Sequence, residues 1–566
     1  MNQNKQTRSL KQLLSAWKTA VSHTTYAQPP DYNGPDVMLT NLVEHTSKVE
    51  PGSGFVARVR TGTDGHPYIP QAIERGAKLI VAQRPASALN LELPDDVVYL
   101  VVDDTAVALA WLSAAWYGFP SRELVMVGVT GTDGKTTTVN ILHAILQAAG
   151  LQAGILSTLR AVIGDREEPL ALHVTTPEAP VIQAYLRRMA DAGMTHCVLE
   201  TTSHGLAQHR VTAVDFDIAV VTNITHEHLD YHNTWDDYAA AKKRLFDYVA
   251  NPQPIQTDKP TNVAKTIILN QDDTASYALL SQINTPAVLT YSIENDEASL
   301  FANDIVLNPW STQYQLHLTN KPTNQPPATS YSIPIETSMF GLFNVLNMLA
   351  AAAAATALGM TPVQIQAGLK QMGVLYGRMQ TIDKNQPFHV LVDFAHTPNG
   401  LEKAIDAARR TLEQANGGGR VITVFGSAGK RDPAKRRLMA EISARDADLT
   451  VLTAEDPRTE SLTDILETMA AGCRTQGGVE GKTFWRIPDR GQAIYFALTQ
   501  AQKDDLVLIC GKGHEQSMCF VTTEYPWDDI NATEAALDAF LAHQPMPNLG
   551  LPTFNENFHG SIDKTL

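Results

Sequence analysis

Short apolar runs alternate with amphipathic stretches along most of the chain. The run "LVMVGV" (124–129) leads into a glycine turn and then into a helical pattern that continues to about residue 150. This order of strand, turn and helix is typical of the opening unit of a nucleotide-binding α/β domain. The runs "THCVLE", "FDIAVVTNIT" and "KTIILN" predict further buried strands, and helical patterns over Pro180–Ala192 and Trp235–Val249 lie between them.

The alternation begins again after Met360. Four apolar runs, "FHVLVDFAH", "RVITVFGS", "DLTVLTAED" and "DLVLICGKG", each end in polar residues or glycine. They predict a second doubly wound sheet, in which active residues belong at the carboxyl ends of the strands. Near the N-terminus, "AKLIVAQ" and "VVYLVV" predict short strands. The apolar run Met348–Leu358 is too short to cross a membrane, so we expect a buried helix there.

These patterns predict an α/β protein of three domains. We place a leader and N-terminal domain at 1–121, a central domain at 122–375 and a C-terminal domain at 376–566. The leader (1–28) is polar, with an amphipathic stretch over Leu10–Val21. The Pro- and Asn-rich segment "NPWSTQYQLHLTNKPTNQPPATS" predicts surface loops or a hairpin. The final twenty residues lack periodicity and predict a loose tail.

Composition narrows the classes of function. The chain has 566 residues, 44% of them hydrophobic and 18% charged, as is ordinary for a soluble globular protein. A net charge of −16 argues against wholesale nucleic-acid binding but permits an anionic small molecule in a locally basic cleft. The four cysteines form no CxxC pair, and the first 30 residues contain no apolar signal-peptide core. We therefore expect free thiols in a reducing cytoplasm and no membrane insertion.

The stretch "VTGTDGKTTT" (Val129–Thr138) carries the clearest chemistry. Glycines between a strand and a helix direct several backbone N–H groups at one point, where the helix dipole also favours an anion. Lys135 adds a mobile positive charge for phosphate oxygens, and the Thr136 hydroxyl can reach Mg²⁺. The spacing is shorter than the usual phosphate-loop pattern, because Val129 stands where the first glycine would be. A glycine-rich turn without a ligand is the alternative.

This stretch resembles the ATP loop of the Mur ligase family. Further blocks, in the same order along the chain, are similar to the MurE branch of that family, and the resemblance spans about Thr46 to Glu515. These blocks are "LETTSHGLAQHRV" (Leu199–Val211), "TNITHEHLDYH" (Thr222–His232), "YAAAKKRLF", "GLFNVLN" (Gly341–Asn347), "YGRM", "VDFAHTPNGLE", "GSAGKRDPAKRRLM", "EDPRTE" and "GKGHEQ".

The resemblance implies both a fold and a reaction. The fold would be a uridine-binding α/β domain, a central ATPase-like domain with a parallel sheet, and a Rossmann-like C-terminal domain. The reaction would add a diamino acid to UDP-N-acetylmuramoyl-L-Ala-D-Glu through an acyl phosphate, in peptidoglycan synthesis. ATP and Mg²⁺ would be required. The partners would be the nucleotide-linked dipeptide and a free diamino acid, with no nucleic acid, and we expect a cytoplasmic monomer.

The resemblance also implies residues for ATP and metal. Lys135, Lys242 and His228 would be catalytic, with Lys242 carbamylated by CO₂. The expected metal ligands are Thr136, Glu200, His228 and Lys242. The expected ATP-binding residues are Gly131, Thr132, Asp133, Gly134, Lys135, Thr136, Thr137, Asn344, Asn347, Arg378 and Asp393.

Taken without the resemblance, several of these residues have plainer interpretations. Glu200 could cap a helix, His228 could be a buried hydrogen-bonded histidine, and Lys242 could be a solvated lysine. Asn344 and Asn347 could cap a helix. In addition, Glu227 stands where the family has an aspartate, so the motif departs from the usual pattern.

For the nucleotide-linked substrate, the resemblance implies a set of hydroxyl, amide and guanidinium donors. Thr202 stands where serine is usual, and Thr46 stands in a stretch that departs from the family's "DSR". An arginine can grip a carboxylate or a phosphate with two parallel hydrogen bonds. The expected residues are Thr46, Thr175, Thr176, Thr202, Gln208 and Arg210.

The resemblance leaves the added amino acid open. Arg431 would hold its α-carboxylate, and Gly511 and Glu515 would contact the far end of its side chain. In "EDPR", Arg458 favours a distal carboxylate, as in meso-diaminopimelate, whereas Asp456 favours the distal ammonium of lysine or ornithine. If Asp456 and Arg458 merely pair with each other, neither is informative.

Three alternative functions fit parts of the sequence. A folylpolyglutamate-type ligase would share the phosphate loop but lack the "TTSHGLAQHR" and "DPR" blocks. A P-loop switch or motor ATPase would hydrolyse ATP without an amine. A catalytically silent scaffold would have little reason to keep five residues suited to phosphoryl transfer, namely Lys135, Thr136, Glu200, His228 and Lys242.

Overall fold

A computed structural model gives the structure of the chain. It describes residues 7–22, 27–60, 62–169, 175–225, 229–251, 258–308, 311–319, 331–339, 341–414 and 418–552.

The N-terminal unit is built on a small parallel sheet in the order β3-β4-β7-β8. Its elements are β1 (Arg8–Ser9), α1 (Leu10–Ala20), β2 (Met38–Leu39), β3 (Leu42–Val43), β4 (Gly54–Val56), β5 (Val59–Arg60), β6 (Thr63–Asp64), α2 (Ile69–Glu74), β7 (Leu79–Ala82), β8 (Val98–Val101) and α3 (Thr105–Trp116). The amphipathic stretch of the leader forms α1, which begins after the capping hydroxyl of Ser9. Leu10 and Trp17 of α1 are buried in the same core as α3.

The central unit contains the phosphate-loop strand. Its elements are β9 (Val125–Thr130), α4 (Lys135–Ala148), β10 (Ala153–Leu156), β11 (Arg160–Ile163), β12 (Arg166–Pro169), α5 (Ala179–Asp191), β13 (His196–Glu200), α6 (Ser203–Ala207), β14 (Ile218–Val221), α7 (Leu229–His232), α8 (Trp235–Ala250), β15 (Thr266–Asn270), α9 (Thr274–Leu280), β16 (Ala287–Ser292), β17 (Leu300–Asn308), β18 (Ser311–Leu318), β19 (Tyr331–Thr337), α10 (Leu342–Ala357) and α11 (Pro362–Gln371). The strands predicted from the apolar runs and the helices α5 and α8 are confirmed.

The order of the central sheet decides where polar residues meet. The strands run β12-β11-β10-β13-β9-β14-β15-β16-β17-β18-β19, and the pairs from β10 to β17 are parallel. Strand β13 lies beside β9, with Glu200 in register with Val129. The last residue of β13 therefore lies next to the turn that leaves β9.

Two further predictions for the central unit can be compared with the structure. The alanine-rich run lies in α10, and Ala350–Ala355 are fully buried, so the predicted buried helix is confirmed. Small side chains let this helix approach its neighbours closely. The segment predicted as loops or a hairpin contains β18, which pairs antiparallel with β17 and β19. Residues 309–310 and 320–330 lie outside the described part.

The C-terminal unit has a second, mainly parallel sheet in the order β20-β21-β25-β22-β23-β24. Its elements are β20 (Gln380–Thr381), β21 (His389–Asp393), α12 (Pro398–Gln414), β22 (Val421–Phe425), α13 (Pro433–Asp446), β23 (Leu449–Leu452), α14 (Leu462–Thr475), β24 (Phe484–Arg486), α15 (Arg490–Gln500), β25 (Leu506–Cys510), β26 (Ser517–Phe520), β27 (Thr523–Pro526) and α16 (Asp529–Leu541). The four predicted strands are β21, β22, β23 and β25, and all four are confirmed.

The end of the chain corrects one expectation. Leu551 is buried in the core of the C-terminal unit, so the described start of the predicted loose tail is packed, because an apolar side chain is buried there. Residues 553–566 lie outside the described part. Within the described residues, no helix combines the length and the apolar character that crossing a bilayer requires.

Candidate active site

The turn between β9 and α4 has a geometry that only glycine fits at two positions. Gly131 has φ of 152° and Gly134 has φ of 81°. A Cβ atom on Gly131 would overlap the hydroxyl of Thr222, and one on Gly134 would overlap the amide of Asn347. The turn therefore stays narrow and presents the first N–H groups of α4 on one side, as an anion site requires.

Two lysines converge on this turn. Lys135 Nζ donates to the carbonyl oxygens of Gly131, at 3.0 Å, and Thr132, at 2.8 Å. Lys242 Nζ donates to the same Gly131 oxygen at 2.6 Å, and the Lys242 residue is only 1% exposed. Its ammonium also lies 4.6 Å from the centre of the Tyr238 ring. Two positive charges at one carbonyl make the turn a strongly attractive place for a phosphate.

Lys243, the neighbour of Lys242, has a different environment. Its side chain is 33% exposed and forms an i,i+4 pair with Asp247 at 2.5 Å. This is the solvated arrangement expected for a surface lysine. Of these two adjacent lysines, therefore, Lys242 is the one that reaches the phosphate turn.

Oxygen donors lie directly beside the lysines. Thr136 Oγ1 donates to both carboxylate oxygens of Glu200, at 2.9 and 3.1 Å, and the backbone N–H of Thr158 donates to Glu200 at 2.9 Å. Glu200 is 1% exposed. A hydroxyl and a carboxylate are donors of the kind that Mg²⁺ prefers, so these two residues fit the expected metal.

The rest of the expected metal set cannot be placed in the same way. His228 and Glu227 lie outside the described residues. In the part of the chain that is described, no group of three or more His, Cys, Asp or Glu side chains is arranged as a metal site.

The two asparagines expected at the nucleotide lie against the phosphate turn. Asn347 donates from Nδ2 to Asn344 Oδ1 at 3.1 Å, and Thr138 Oγ1 is 3.5 Å from Asn347 Oδ1. Both asparagines are buried in the first turns of α10. The structure thus brings α10 to the phosphate turn, although the two segments are about 200 residues apart in sequence.

The C-terminal unit reaches the same turn. Asn399, in the first turn of α12, donates from Nδ2 to Asp133 Oδ2 at 2.6 Å. The guanidinium of Arg378 lies 4.4 Å from the centre of the Phe394 ring. Burial lowers the pKa of Arg378, and the charges of Asp393, Glu200 and Asp133 oppose that shift. The charges that act on Arg378 thus include Asp133 of the phosphate turn.

Asp393 has a largely structural environment. Its carboxylate accepts backbone hydrogen bonds from Met379 and Ala395, both at 2.7 Å. Burial raises its pKa, while Arg378 and these hydrogen bonds act in the other direction. Asp393 therefore fixes the segment that carries Arg378.

The residues expected to hold the nucleotide-linked substrate form one network. Thr176 Oγ1 accepts from the backbone and hydroxyl of Thr202 and donates to the carbonyl of Glu200 at 3.1 Å. Arg210 donates to the Thr176 carbonyl at 2.5 Å and to Gln208 Oε1 at 2.7 Å. The network thus reaches the backbone of Glu200, the residue whose carboxylate accepts from Thr136. Thr175 precedes Thr176 in the chain.

Glu178 is the ion-pair partner of Arg210, the arginine that was expected to bind the substrate. It pairs with Arg210 at 2.8 Å and also with Arg58 and Arg60 from the N-terminal unit. Arg58 and Arg60 in turn pair with Glu44, at 2.8 and 2.6 Å. Burial acts to raise the pKa of Glu44, but the two arginines lower it below its ordinary value. This cluster joins the N-terminal and central units. The sequence signal that could have predicted it is the glutamate, Glu178, that directly follows "TTP".

Thr46 lies apart from this cluster. Its carbonyl accepts from Arg75 at 2.8 Å, and it does not line the cavity of about 590 Å³ in the N-terminal unit. That cavity lies along the stretch "GTDGHPYI" and is bordered by Arg60, His66 and Arg84. Asp64 also borders the cavity and pairs with His66 and Arg84, while Arg60 pairs with Glu44 and Glu178.

The residues expected at the amino acid meet around a lysine that the sequence analysis did not single out. Lys512 Nζ is 2.9 Å from Asp456 Oδ1 and 2.5 Å from Glu515 Oε2. Asp456 therefore pairs with Lys512. Among the described residues, no ion pair or hydrogen bond joins Asp456 to the Arg458 side chain. The position of Lys512 in "GKGHE" was the signal available in the sequence.

Arg431 and Gly511 are the other two residues expected at the amino acid. Arg431 is exposed, but the N–H of Gly429, two residues earlier, donates to the carbonyl of Asp456 at 2.9 Å, so the two loops run side by side. Gly511 has φ of 113°, and a Cβ there would overlap the carboxylate of Glu455.

Glu455 gives a prediction about stability. It is 6% exposed, and in the described residues its Oε2 has no hydrogen-bond partner. Burial raises the pKa of Glu455 to about 7, although Lys435, Arg490 and Lys512 oppose the shift. A carboxyl with a raised pKa in the folded state adds stability below its unfolded pKa, near 4.3, and that stability is lost as pH rises to about 7.

We therefore expect Glu455→Gln to be more stable than the wild type at pH 8 by about 3 kcal/mol, with a much smaller difference at pH 4.5. Urea unfolding at both pH values measures the difference, and the exposed Glu413→Gln serves as the control. If the variant and the wild type show parallel pH dependence, Glu455 is ionised in the folded state.

Comparisons with known proteins bear on this arrangement. Residues 129–355 match the Mur ligase middle domain, and residues 377–513 match the Mur ligase, glutamate ligase domain. The chain is 40% identical over 513 residues to a UDP-N-acetylmuramyl-tripeptide synthetase of Roseiflexus sp. (strain RS-1), covering 88% of this chain and 94% of that protein. It is 37% identical to the UDP-N-acetylmuramoyl-L-alanyl-D-glutamate–2,6-diaminopimelate ligase of Bacillus velezensis, over 90% of this chain and 95% of that protein.

The chain belongs to the Mur ligase family. A solved structure of a UDP-N-acetylmuramoyl-L-alanyl-D-glutamate–2,6-diaminopimelate ligase is similar to it over 91% of this chain and 98% of that one, with a TM-score of 0.58 and 26% identity. The MurF ligase of Thermotoga maritima, solved with ADP, shares the fold with a TM-score of 0.57 at 17% identity, over 89% of this chain and 98% of that one. This Mur ligase is thus an ATP-dependent amide-forming ligase with an α/β fold, as predicted.

Proposed function

We propose that this Mur ligase joins a diamino acid to UDP-N-acetylmuramoyl-L-Ala-D-Glu with ATP, in peptidoglycan synthesis. The observation that carries the proposal is a convergence at one turn. The phosphate turn, the Thr136–Glu200 pair and Lys242 of the central unit meet Asn399 of the C-terminal unit there. Relatives with 35–40% identity over most of the chain bear the names of such ligases, which supports the same assignment.

The reaction has two chemical steps. A carboxylate of the peptide's D-Glu attacks the γ-phosphorus of ATP, giving an acyl phosphate and ADP. The incoming amine then attacks the acyl carbon, phosphate leaves, and the amine nitrogen loses a proton. The first step brings two anions together, so a cluster of positive charge and N–H donors at the phosphate turn stabilises its transition state.

The residues of the turn have separate tasks in this scheme. The first N–H groups of α4 and Lys135 hold the phosphates, for which Lys135 has to leave its carbonyl partners. Thr136 and Glu200 would hold Mg²⁺, which when bound neutralises crowded phosphate oxygens. Lys242, as a carbamate, would add a third oxygen group near the same point. Arg378, from the other unit, stabilises the transferring phosphoryl group.

We propose that the nucleotide-linked peptide lies across the N-terminal and central units. The uridine diphosphate takes the cavity bordered by Arg60 and Arg84, where its phosphates compete with Asp64 for Arg84. The peptide passes Thr175 and follows the network of Thr176 and Thr202 toward Glu200. For Arg210 to bind a substrate anion, that anion has to replace Glu178 as its partner. The exchange of one anion for another leaves the local charge nearly unchanged.

For the amino acid, the charges favour meso-diaminopimelate. Asp456 is already paired with Lys512, which weakens its pull on a distal ammonium. Arg458 is partly exposed, and no ion pair or hydrogen bond to its guanidinium occurs among the described residues. A carboxylate is the natural partner of such a guanidinium.

The wider organisation follows the same scheme. In this scheme the N-terminal unit (1–121) binds the nucleotide-linked substrate, the central unit (122–375) binds ATP, and the C-terminal unit (376–566) binds the amino acid. Every residue invoked comes from one chain, which suits a monomer. The reaction belongs in the cytoplasm, where ATP is supplied and the four free cysteines stay reduced.

The test is ADP release from ATP in the presence of UDP-N-acetylmuramoyl-L-Ala-D-Glu and one of three amino acids: meso-diaminopimelate, lysine or ornithine. We expect turnover that requires both the nucleotide-dipeptide and a diamino acid, with meso-diaminopimelate preferred, and a product of the mass of the corresponding tripeptide. ADP release that is independent of all three amino acids would contradict the proposal.

A further inference from the structure

Lys512 is buried between two carboxylates that face the expected amino-acid site. Its side chain is 2% exposed, whereas that of Asp456 is 17% and that of Glu515 is 42% exposed. Burial acts to lower the pKa of Lys512, but the two carboxylates outweigh it and raise the pKa, so the group is a cation. The protein thus places an ammonium of its own between two acids that could otherwise bind a substrate ammonium.

The backbone that carries Lys512 is held from behind. Arg490 and Asp529 are both fully buried and pair at 2.7 Å. Arg490 donates to the carbonyl of Cys510 at 2.8 Å, and Asp529 accepts from the N–H of Gly513 at 3.2 Å. Anchors on both sides of Lys512 restrict its movement, so the ammonium is preorganised.

The Asp456 loop is fixed as firmly. Asp456 Oδ1 also accepts the N–H of Cys519 at 2.9 Å, and the backbone of Arg458 bonds to the β26–β27 hairpin through Cys519 and Val521. Asp456 and Arg458 have φ of 40° and 53°, in the left-handed region that side chains other than glycine rarely adopt. A conformation of this kind persists where surrounding bonds hold it, and it directs the two side chains to fixed positions.

The charges of this group can now be compared with those of a substrate. Asp456 and Glu515 are anions, and Lys512 and Arg458 are cations, so these four side chains carry no net charge. The neighbouring carboxyl of Glu455, whose pKa burial raises to about 7, is neutral below that pH. The far end of meso-diaminopimelate is a zwitterion, with one ammonium and one carboxylate. The far end of lysine or ornithine is an ammonium alone. A neutral pocket matches the first in charge and leaves one excess positive charge with the second.

We propose that Lys512 is a positioning residue that sets the net charge of the amino-acid pocket, so that a zwitterionic side-chain end is selected over a purely cationic one. The inference rests on the proposed function and goes beyond it, because it assigns selectivity to a residue that acts through Asp456 and Glu515. Removing Lys512 leaves the pocket with one net negative charge, which suits lysine or ornithine. Specificity of this kind depends on an element that opposes the wrong ligand.

The experiment compares kcat/KM for meso-diaminopimelate and for lysine, with saturating ATP and nucleotide-dipeptide. For Lys512→Gln we expect the ratio of the two values to fall on the order of 100-fold. A nearby charge shifts a pKa by about one to three units, which is one to three powers of ten in the preference of a site for one charge state over the other. The change should lie mainly in KM for the amino acid, while KM for ATP stays the same. The exposed Lys482→Gln is the matched control, and its ratio should equal that of the wild type.

Two further variants separate charge from structure. Lys512→Arg keeps the cation and should keep most of the preference for meso-diaminopimelate. Lys512→Gln combined with Asp456→Asn makes the pocket neutral again and should recover much of the ratio lost in the single variant. Asp456→Asn alone makes the pocket cationic and should lower the use of lysine further. This last variant tests the idea even if Lys512→Gln does not fold.

The outcomes are distinct. If the wild type uses meso-diaminopimelate but every variant lowers both kcat/KM values equally, Lys512 is structural and the inference fails, while the ligase assignment stands. If the wild type prefers lysine to meso-diaminopimelate, the charge argument fails and the ligase assignment again stands. If the wild type uses neither amino acid with the nucleotide-dipeptide, both fail.

Discussion

Replacing Lys242 by alanine is expected to lower kcat about 1,000-fold, because the variant loses a charged group that is in direct contact with the phosphate turn. In the structure its ammonium donates to Gly131 at 2.6 Å and is almost completely buried. As a carbamate, the same side chain would be an anion. The ammonium would first lose a proton, the resulting amine would bond to CO₂ and lose a second proton, and the new carboxylate would face Thr136 and Glu200.

Chemical rescue distinguishes these two states of Lys242. If the carbamate is the active form, acetate or propionate should restore part of the activity of Lys242→Ala. If the ammonium is the active form, methylammonium should restore it and the carboxylates should not. The adjacent Lys243→Ala is the control, and we expect it to retain full activity, since Lys243 is partly exposed and pairs with Asp247. Unchanged turnover of Lys242→Ala would exclude both roles.

Glu200→Gln is expected to lower kcat by a similar factor, about 1,000-fold, with little change in thermal stability. In the wild type, the N–H of Thr158 and the hydroxyl of Thr136 both donate to the Glu200 carboxylate. The glutamine amide can still form a hydrogen bond with each of these groups. The variant therefore keeps the fold and loses only the negative charge. That charge is what a divalent cation requires at this point.

Activity measured against Mg²⁺ concentration tests the role of Glu200. The remaining activity of Glu200→Gln should require more Mg²⁺ than the wild type, while its Tm without nucleotide stays within a few degrees. The exposed Glu167→Gln, on β12 of the same sheet, is the control, and its Mg²⁺ dependence should be unaltered. A Glu200→Gln enzyme with wild-type activity and wild-type Mg²⁺ dependence would remove Glu200 from the metal site.

The sequence was sufficient for the order of the elements. A parallel strand buried on both faces reads as an uninterrupted apolar run, and β13, β14, β15 and β25 have that form, so each could be found locally. The phosphate turn was equally readable, because its glycines and lysine are adjacent in sequence. The position of Glu200 at the end of a strand was also readable, but its role beside the phosphate turn was implied only by the family resemblance.

The pairing of charged side chains could not be read in this way. Lys512 and Asp456 are 56 residues apart, and nothing in either motif shows that one neutralises the other. The same holds for Arg210, which was expected to bind the substrate and which pairs with Glu178 in the structure. Burial of Leu551 likewise depends on a core formed elsewhere in the chain, so the local lack of periodicity was misleading. Distant contacts decide such features, whereas periodicity reports only local structure.

The bond between Asn399 and Asp133 has a consequence for ligand binding. It joins the C-terminal unit to the turn that receives the nucleotide. Free energies of binding are reciprocal, so if nucleotide at the turn alters the docking of the C-terminal unit, docking must alter nucleotide affinity by the same factor. An amino acid bound near Lys512, in the same unit, can then change the affinity for ATP without contacting it. The binding of the amino acid and the binding of ATP would thereby be coupled.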